Sequence, residues 1–168
     1  GKTIFFVRHT SICVSKLIDQ AWATPEMLGS PINVEADQYH PTVASSGTLY
    51  FCSNRSGAFD IYRSEYENGG YSTVELMNEA INSHVDGSDG AYDPYISPDE
   101  SYIIFSSTRP GGYGNTDQYI SYNISGQWTN PENLGAEINT AATEYGSNIS
   151  PDGKYYFFAR RYSVNLCG

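Results

Sequence analysis

ISPDESYIIF at 96–105 and ISPDGKYYFF at 149–158 are two copies of one pattern. VASSGTLYF at 43–51 is a more diverged third copy. The chain opens on GKTIFF at 1–6, which matches GKYYFF at 153–158. Ser-Pro-Asp-Gly combines a fixed φ at Pro, a locally hydrogen-bonding Asp and a Gly tolerant of positive φ, which is the chemistry of a tight turn. The residues after it are β-branched or aromatic, as strands prefer. A turn followed by an apolar strand therefore recurs along the chain.

Other landmarks recur with it. Tyr39, Tyr92 and Tyr145 stand 53 residues apart. FDIY at 59–62 aligns with TDQY at 116–119, and the first copy is reduced to SIC at 11–13, with Ser11 in place of Asp and Cys13 in place of Tyr. Eleven residues after that position comes an aromatic: Trp22, Tyr71, Trp128. Then follow WATPEMLGSPIN at 22–33, YSTVELMNEAIN at 71–82 and WTNPENLGAEIN at 128–139, closing on Asn33, Asn82 and Asn139. A fixed period of this size marks a repeat architecture. Each unit holds four short strand candidates: A (near 39–44, 92–97 and 145–150), B after the turn, C around the Asp-x-Tyr, and D around the Trp or Tyr. No stretch keeps a helical period. The pattern predicts an all-β chain: a β-propeller of four-stranded antiparallel blades, about three blades in this chain. It reads as one partial propeller over 1–168. Blade 1 spans about 1–38 and lacks its first strand, blade 2 about 39–91, blade 3 about 92–144, and 145–168 starts a fourth.

SPDGK, the apolar strand, RPGGYGNTD and GQWTNPENLGAEIN together resemble the TolB-like propeller repeat. The likeness is nearest to the version in exported bacterial proteins that carry OmpA-like peptidoglycan-binding domains. It covers nearly the whole chain, and 92–158 is its cleanest part. The first copy departs most, lacking the Asp-x-Tyr pair and its own strand A. The resemblance implies binding, scaffolding or accessory roles and a periplasmic or extracellular location.

The net charge is −10, with 9 Lys plus Arg against 19 Asp plus Glu. A phosphate backbone is repelled by such a surface, so nucleic acid is not an expected partner. Anionic membrane surfaces are disfavoured likewise, and no apolar run reaches transmembrane length. The 15 Tyr and 7 Phe suit a β-sheet core. Cys13, Cys52 and Cys167 have neither metal-ligand spacing nor an even count. Cys13 and Cys52 read as small buried residues, and Cys167 as a free thiol. Three blades leave open sheet faces, so the chain is expected either to belong to a longer protein or to complete a six-bladed ring as a homodimer. The dimer carries a surplus, because 1–9 and 153–161 compete for one place.

Strand direction puts the B–C and D–A loops on one face. From Phe to the Asp position those B–C loops run 5, 9 and 12 residues, while the C–D stretch is constant. Insertions in repeat proteins collect on one face, often the binding face. Arg8 and His9, Asn54 and Arg55, and Arg109, Tyr113 and Asn115 sit there. Tyr39, His40, Tyr92, Asp93 and Tyr145 begin the inner strands and rim the channel. The ligand candidates are Tyr39, His40, Arg55, Tyr92, Asp93, Arg109, Tyr113, Asn115 and Tyr145. Ring faces stack and planar polar groups orient, which suits a protein segment or a cell-envelope glycan. Arg55 and Arg109 share a repeat position and read equally as loop clamps. Asp60 and Asp117 recur with the repeat and read as fold elements accepting N–H bonds. DGSDGAYD at 86–93 alternates oxygen ligands and glycines, so Asp86 and Asp89 are candidate calcium ligands, against the plainer reading of a solvated acidic turn. It lacks the spacing and terminal Glu of an EF-hand. No other cofactor is expected. There is no G-x-S-x-G, and RPGGYGN does not open a helix to cradle phosphate. The favoured reading is a non-catalytic binding or scaffold module. The alternative is a propeller hydrolase or lyase acting on polysaccharide or peptide at the channel mouth, with Asp93, His40 and Glu144 as first candidates.

Overall fold

A computed structural model describes residues 2–84 and 90–162, and within them every regular element is a strand. Blade 1 holds β1 (Thr3–Arg8), β2 (Ser11–Ile18), β3 (Ala21–Trp22) and β4 (Glu26–Met27). Blade 2 holds β5 (Gln38–Val43), β6 (Leu49–Ser53), β7 (Asp60–Ser64), β8 (Tyr66–Glu67), β9 (Gly70–Tyr71) and β10 (Glu75–Leu76). Blade 3 holds β11 (Ala91–Ile96), β12 (Tyr102–Ser107), β13 (Asp117–Ile124), β14 (Gln127–Trp128) and β15 (Glu132–Asn133). A final hairpin pairs β16 (Thr143–Ile149) with β17 (Tyr156–Arg161). Blade 2 is an antiparallel four-stranded sheet in the order β5-β6-β7-β10, and blade 3 repeats it as β11-β12-β13-β15 with the short β14 also paired to β13. The fold is that of an all-β propeller.

The fourth strand does not lie where the sequence placed it. Trp22, Tyr71 and Trp128 instead close a narrow hairpin that prolongs strand C. The cause is a two-residue turn with both φ positive: Asp19-Gln20 (48° and 67°), Asn68-Gly69 (50° and 85°) and Ser125-Gly126 (54° and 85°). Such turns match the twist of paired strands. The outer strand of the blade then starts four residues after each aromatic, at Glu26, Glu75 and Glu132. A serine in strand C ties the bend between the two: Ser15, Ser64 and Ser121 donate to the carbonyls of Ala23, Ser72 and Thr129 at 2.7, 2.8 and 2.7 Å.

The repeated asparagine closes each blade. Asn82 Oδ1 accepts the Ile61 N–H at 2.8 Å, while its Nδ2 donates to the carbonyls of Ile61 (2.9 Å) and Met77 (3.1 Å). Asn33 does the same for Ile12 and Leu28, and Asn139 pairs with Gln118 and Asn133. The side-chain amide thus behaves as one more residue of a strand, saturating backbone groups where strand C would otherwise lack a partner.

Two sets of bonds join neighbouring blades. On the channel side, Thr10, Phe59 and Thr116 present carbonyls to an N–H at the start of the next inner strand, at Gln38, Ala91 and Glu144 (2.9, 3.1 and 2.9 Å). In the other direction, Arg55 donates to the Pro31 and Ile32 carbonyls, and Arg109 to those of Ala80 and Ile81. Each guanidinium also lies 5.0 Å from two ring centroids, Phe51 and Tyr62 for Arg55, Phe105 and Tyr119 for Arg109.

Between these ties lies the core. Ile12 and Ile32 of blade 1 pack on Leu49, Phe51 and Tyr62 of blade 2. Tyr50, Cys52 and Ile61 of blade 2 pack on Ile103, Phe105 and Tyr119 of blade 3. Each fully buried side chain of this size contributes about 1.5–3 kcal/mol of transfer free energy. Alternate residues of strand B thus face opposite neighbours, as the two-residue period requires.

Burial pushes the Tyr71 and Tyr156 phenols up to about 12. In the unfolded chain a phenol ionises near about 10. The unfolded state therefore loses protons first, and the contribution of these groups is complete below about pH 10 and disappears as pH rises to about 12. Unfolding followed by far-ultraviolet circular dichroism is expected to begin in that window. Replacing both tyrosines with Phe should move the onset to higher pH.

Candidate functional site

The inner strands share an irregularity where they enter the channel. Pairing register slips between Tyr39 and Thr42, between Tyr92 and Tyr95, and between Tyr145 and Asn148. The residue at the slip is His40, Asp93 or Gly146, with φ of 50°, 50° and 72°. Glycine is the residue this conformation favours, and Asp and His carry a modest strain there. In exchange, their side chains link blades. His40 Nε2 lies 2.9 Å from Asp93 Oδ1, and the Gly146 N–H donates to Asp93 Oδ2 at 3.1 Å. Blade 2 is thereby joined to blade 3, and blade 3 to the final hairpin, along the channel wall. The His40 side chain is 47 % exposed and that of Asp93 10 %. Beside them a cavity of about 300 Å3 is lined by Pro41, Thr42, Pro94, Tyr95, Ser147 and Asn148 together with the three slipped residues.

Next to the channel runs an aromatic row. Phe59 lies between Tyr39 and Tyr92, with ring centroids 5.9 and 5.7 Å away. The row crosses from blade 2 to blade 3 on the face of the B–C and D–A loops. Burial above all, with the nearby Cys52, Asp60 and Asp93 adding to it, holds the Tyr92 phenol above its ordinary range. Tyr92 thus stays a neutral hydrogen-bonding group at any physiological pH. Asp60 sits under the row and accepts from Ser56 at 2.8 Å, with His84 Nε2 also 2.8 Å away.

The other expected residues are distributed differently. Tyr113 stands out from the B–C loop at 52 % exposure, and its N–H donates to Asp117. Asn115 is held through its N–H to the Ala142 carbonyl at 3.2 Å. Gly114 packs so tightly on the carbonyls of Thr140 and Ala142 that no side chain fits, which explains one glycine of RPGGYGN. Tyr145 is 37 % exposed at the start of β16. Arg55 and Arg109 have their forks engaged by backbone carbonyls of the preceding blade, so their position in the fold is that of clamps. Glu144 is fully buried and accepts from Thr140 and Arg160. Asp86 and Asp89 lie outside the described residues, as does Cys167. Among the described residues no group of three or more His, Cys, Asp or Glu could hold a metal ion.

Phe59 and His84 are the contributors that sequence reading passed over as site residues. Phe59 is legible in hindsight because it precedes the repeated Asp, where the next copy has Thr116. His84 meets Asp60 across 24 residues of chain, and no spacing rule connects them.

Chemically, the face offers aromatic surfaces, half-exposed imidazoles and a carboxylate already bonded to two donors. That equipment suits recognition of a ligand by stacking and hydrogen bonding. No family model and no curated protein matches this chain. Solved structures do. The fold is similar to a TolB from Acinetobacter baumannii, with a TM-score of 0.62 and 20 % identity over 97 % of this chain and 36 % of that one. It is also similar to a TolB structure from Agrobacterium tumefaciens, with a TM-score of 0.58 and 17 % identity over 94 % of this chain and 52 % of that one. The chain thus spans between about a third and about half of the structures it matches. Among the described residues no helix is long and apolar enough to cross a membrane.

Proposed function

We propose that this chain is a non-catalytic binding module of an exported protein, taking a protein segment or cell-envelope glycan on the face of the B–C and D–A loops. The observation that carries the reading is the row Tyr39–Phe59–Tyr92, which spans two blades beside the His40–Asp93 pair and its cavity. Aromatic anchors at a rigid rim supply large contact area at small entropic cost, and such residues dominate binding energy. His40 and Asp93, held in place by each other, would orient polar groups of the ligand. Tyr113, on its exposed loop, would add a further stacking surface. The export expected here rests on the TolB-like resemblance alone.

The test uses immobilised chain against a peptide array and soluble cell-wall glycan fragments. Tyr92→Ala and Tyr113→Ala should each weaken capture of the best binder by about tenfold or more. Tyr113→Ala should leave the thermal midpoint unchanged, because the ring is exposed. Capture that survives both changes would remove the face from consideration. Turnover of a glycan or peptide, lost with His40→Ala, would replace the reading with the hydrolase or lyase alternative.

A further inference from the structure

At the junction of blades 2 and 3 the repeat departs from itself. Asp60 and Asp117 occupy one repeat position, and both are buried. Asp117 is saturated from within its own blade, by the N–H groups of Tyr113 and Gly114 and by the Asn133 side chain. Asp60 instead meets two side chains at the surface, Ser56 and the half-exposed His84. The residue before the aspartate changes too, from Thr116 to Phe59, the middle ring of the aromatic row. At the slip of the inner strands, Gly146 of the last copy is replaced by His40 and Asp93. Gly90 seats the third ring, since a side chain there would collide with the Tyr92 phenol.

Two buried carboxylates therefore stand beside one set of rings. Asp60 and Asp93 are 2 % and 8 % exposed, and each is joined to an imidazole, His84 or His40. Both are close enough to the Tyr92 phenol to add to the effect of its burial. Among the described residues neither carboxylate is paired with a lysine or arginine. From 39 to 144 the only such residues are Arg55, Arg63 and Arg109. The first and last hold carbonyls of the preceding blade, and Arg63 is bonded to Glu75. A buried carboxylate is costly unless charge and hydrogen bonds compensate it. A neutral imidazole supplies the bond without the charge. Each oxygen of the two carboxylates has one polar partner among the described residues: His84 and Ser56 for Asp60, His40 and the Gly146 N–H for Asp93. A carboxylate can accept about four bonds, so acceptor capacity is left over.

We propose that Tyr39, Phe59 and Tyr92, with Asp60 and Asp93, form a cation site that takes the ammonium or guanidinium of a lysine or arginine side chain on a protein segment. This inference rests on the binding face proposed above and commits it to the protein segment over the glycan. All five residues belong to blades 2 and 3, whose junction is internal to the chain. The ring faces attract the cation and cover its aliphatic stem. The carboxylates accept its N–H donors in charge-assisted bonds, which are about twice as strong as neutral ones. His40 and His84, both half-exposed, are the groups that turn to share those oxygens. An anionic ligand is rejected by the same two carboxylates.

The experiment follows backbone amide shifts of the full-length chain by NMR during titration with three short capped peptides. They share one sequence and differ only in a central arginine, lysine or citrulline, which keeps the shape of arginine without its charge. A soluble glycan fragment lacking cationic groups is titrated in parallel. The cation site predicts saturable shifts centred on Tyr39, Asp60 and Tyr92 with the arginine and lysine peptides, and binding of the citrulline peptide at least about tenfold weaker. Phe59→Thr installs the residue of the next copy and should weaken the arginine peptide about three- to tenfold. Asp93→Asn, a residue that tolerates the φ of 50° at this position, should weaken it at least about tenfold. Arginine and citrulline peptides that bind alike, or a glycan fragment that shifts these amides where the arginine peptide does not, overturn cation recognition and leave the binding face standing. If no probe shifts these amides at millimolar concentration, the binding face falls and the cation site with it.

Discussion

Asn82→Asp is expected to lower stability by about 3–5 kcal/mol, a large share of the roughly 5–15 kcal/mol available to a domain of ordinary stability. The change keeps the shape of the side chain and removes its two N–H donors. Asn82 is 4 % exposed and saturated by three backbone groups. After the change, the carbonyls of Ile61 and Met77 lose their donor and face a carboxylate. Each unsatisfied buried group costs about 1–3 kcal/mol, and the buried charge adds to this. Urea unfolding at neutral pH measures the loss. The deficit should shrink as pH falls, because the protonated carboxyl regains one donor. Asn33→Asp and Asn139→Asp should act in the same direction. An unchanged urea midpoint for Asn82→Asp would remove the asparagine from the account of blade closure.

Arg109→Lys is expected to cost about 2–4 kcal/mol even though the charge is kept. The guanidinium donates to Ala80, Ile81 and Ser107 at once and lies over the stacked Phe105 and Tyr119 rings, 5.0 Å from each centroid. Lysine can offer a point charge and three donors, yet it cannot span two adjacent carbonyls with a planar fork while stacking on two rings. Arg55→Lys should cost a similar amount at the interface of blades 1 and 2. The two losses should add in the double variant, since the residues share no partner. Thermal unfolding of the four chains checks both statements. A double variant that melts with the parent would show that the clamps contribute nothing.

Much of this architecture is legible in the sequence because it is repeated. The 53-residue period, the Pro-Asp turn and the apolar run each come from local chemistry, and repetition raises them above noise. The outer strand was misplaced for a local reason as well. Trp22, Tyr71 and Trp128 look like strand residues and are strand residues, but of a hairpin set by a positive-φ turn at Asp19-Gln20 and its equivalents. Asn68-Gly69 advertises such a turn and Asp19-Gln20 does not, so the shared turn shows in one copy of the repeat and is hidden in another. The closing asparagines were visible as landmarks while their function was hidden, because a side-chain amide standing in for backbone needs the partner strand beside it. At the channel mouth, His40 and Asp93 are legible as rim residues, while their pairing is not. His40 and Asp93 belong to different blades, and their contact depends on how the sheets are set around the axis. Arg55 and Arg109 show the converse. Their shared repeat position pointed to a common task, and the geometry assigns that task to holding blades together.

The proposition beneath all of this is that the three copies fold as equivalent sheets, each closed by its own asparagine. Amide hydrogen exchange at Ile12, Ile61 and Gln118 tests it most directly, because each of these N–H groups donates to an asparagine side chain. The account predicts slow exchange at all three, with protection lost first at Ile61 in Asn82→Ala and retained at Gln118. Exchange at loop rates in the parent protein, or simultaneous loss at all three in that single variant, would contradict it.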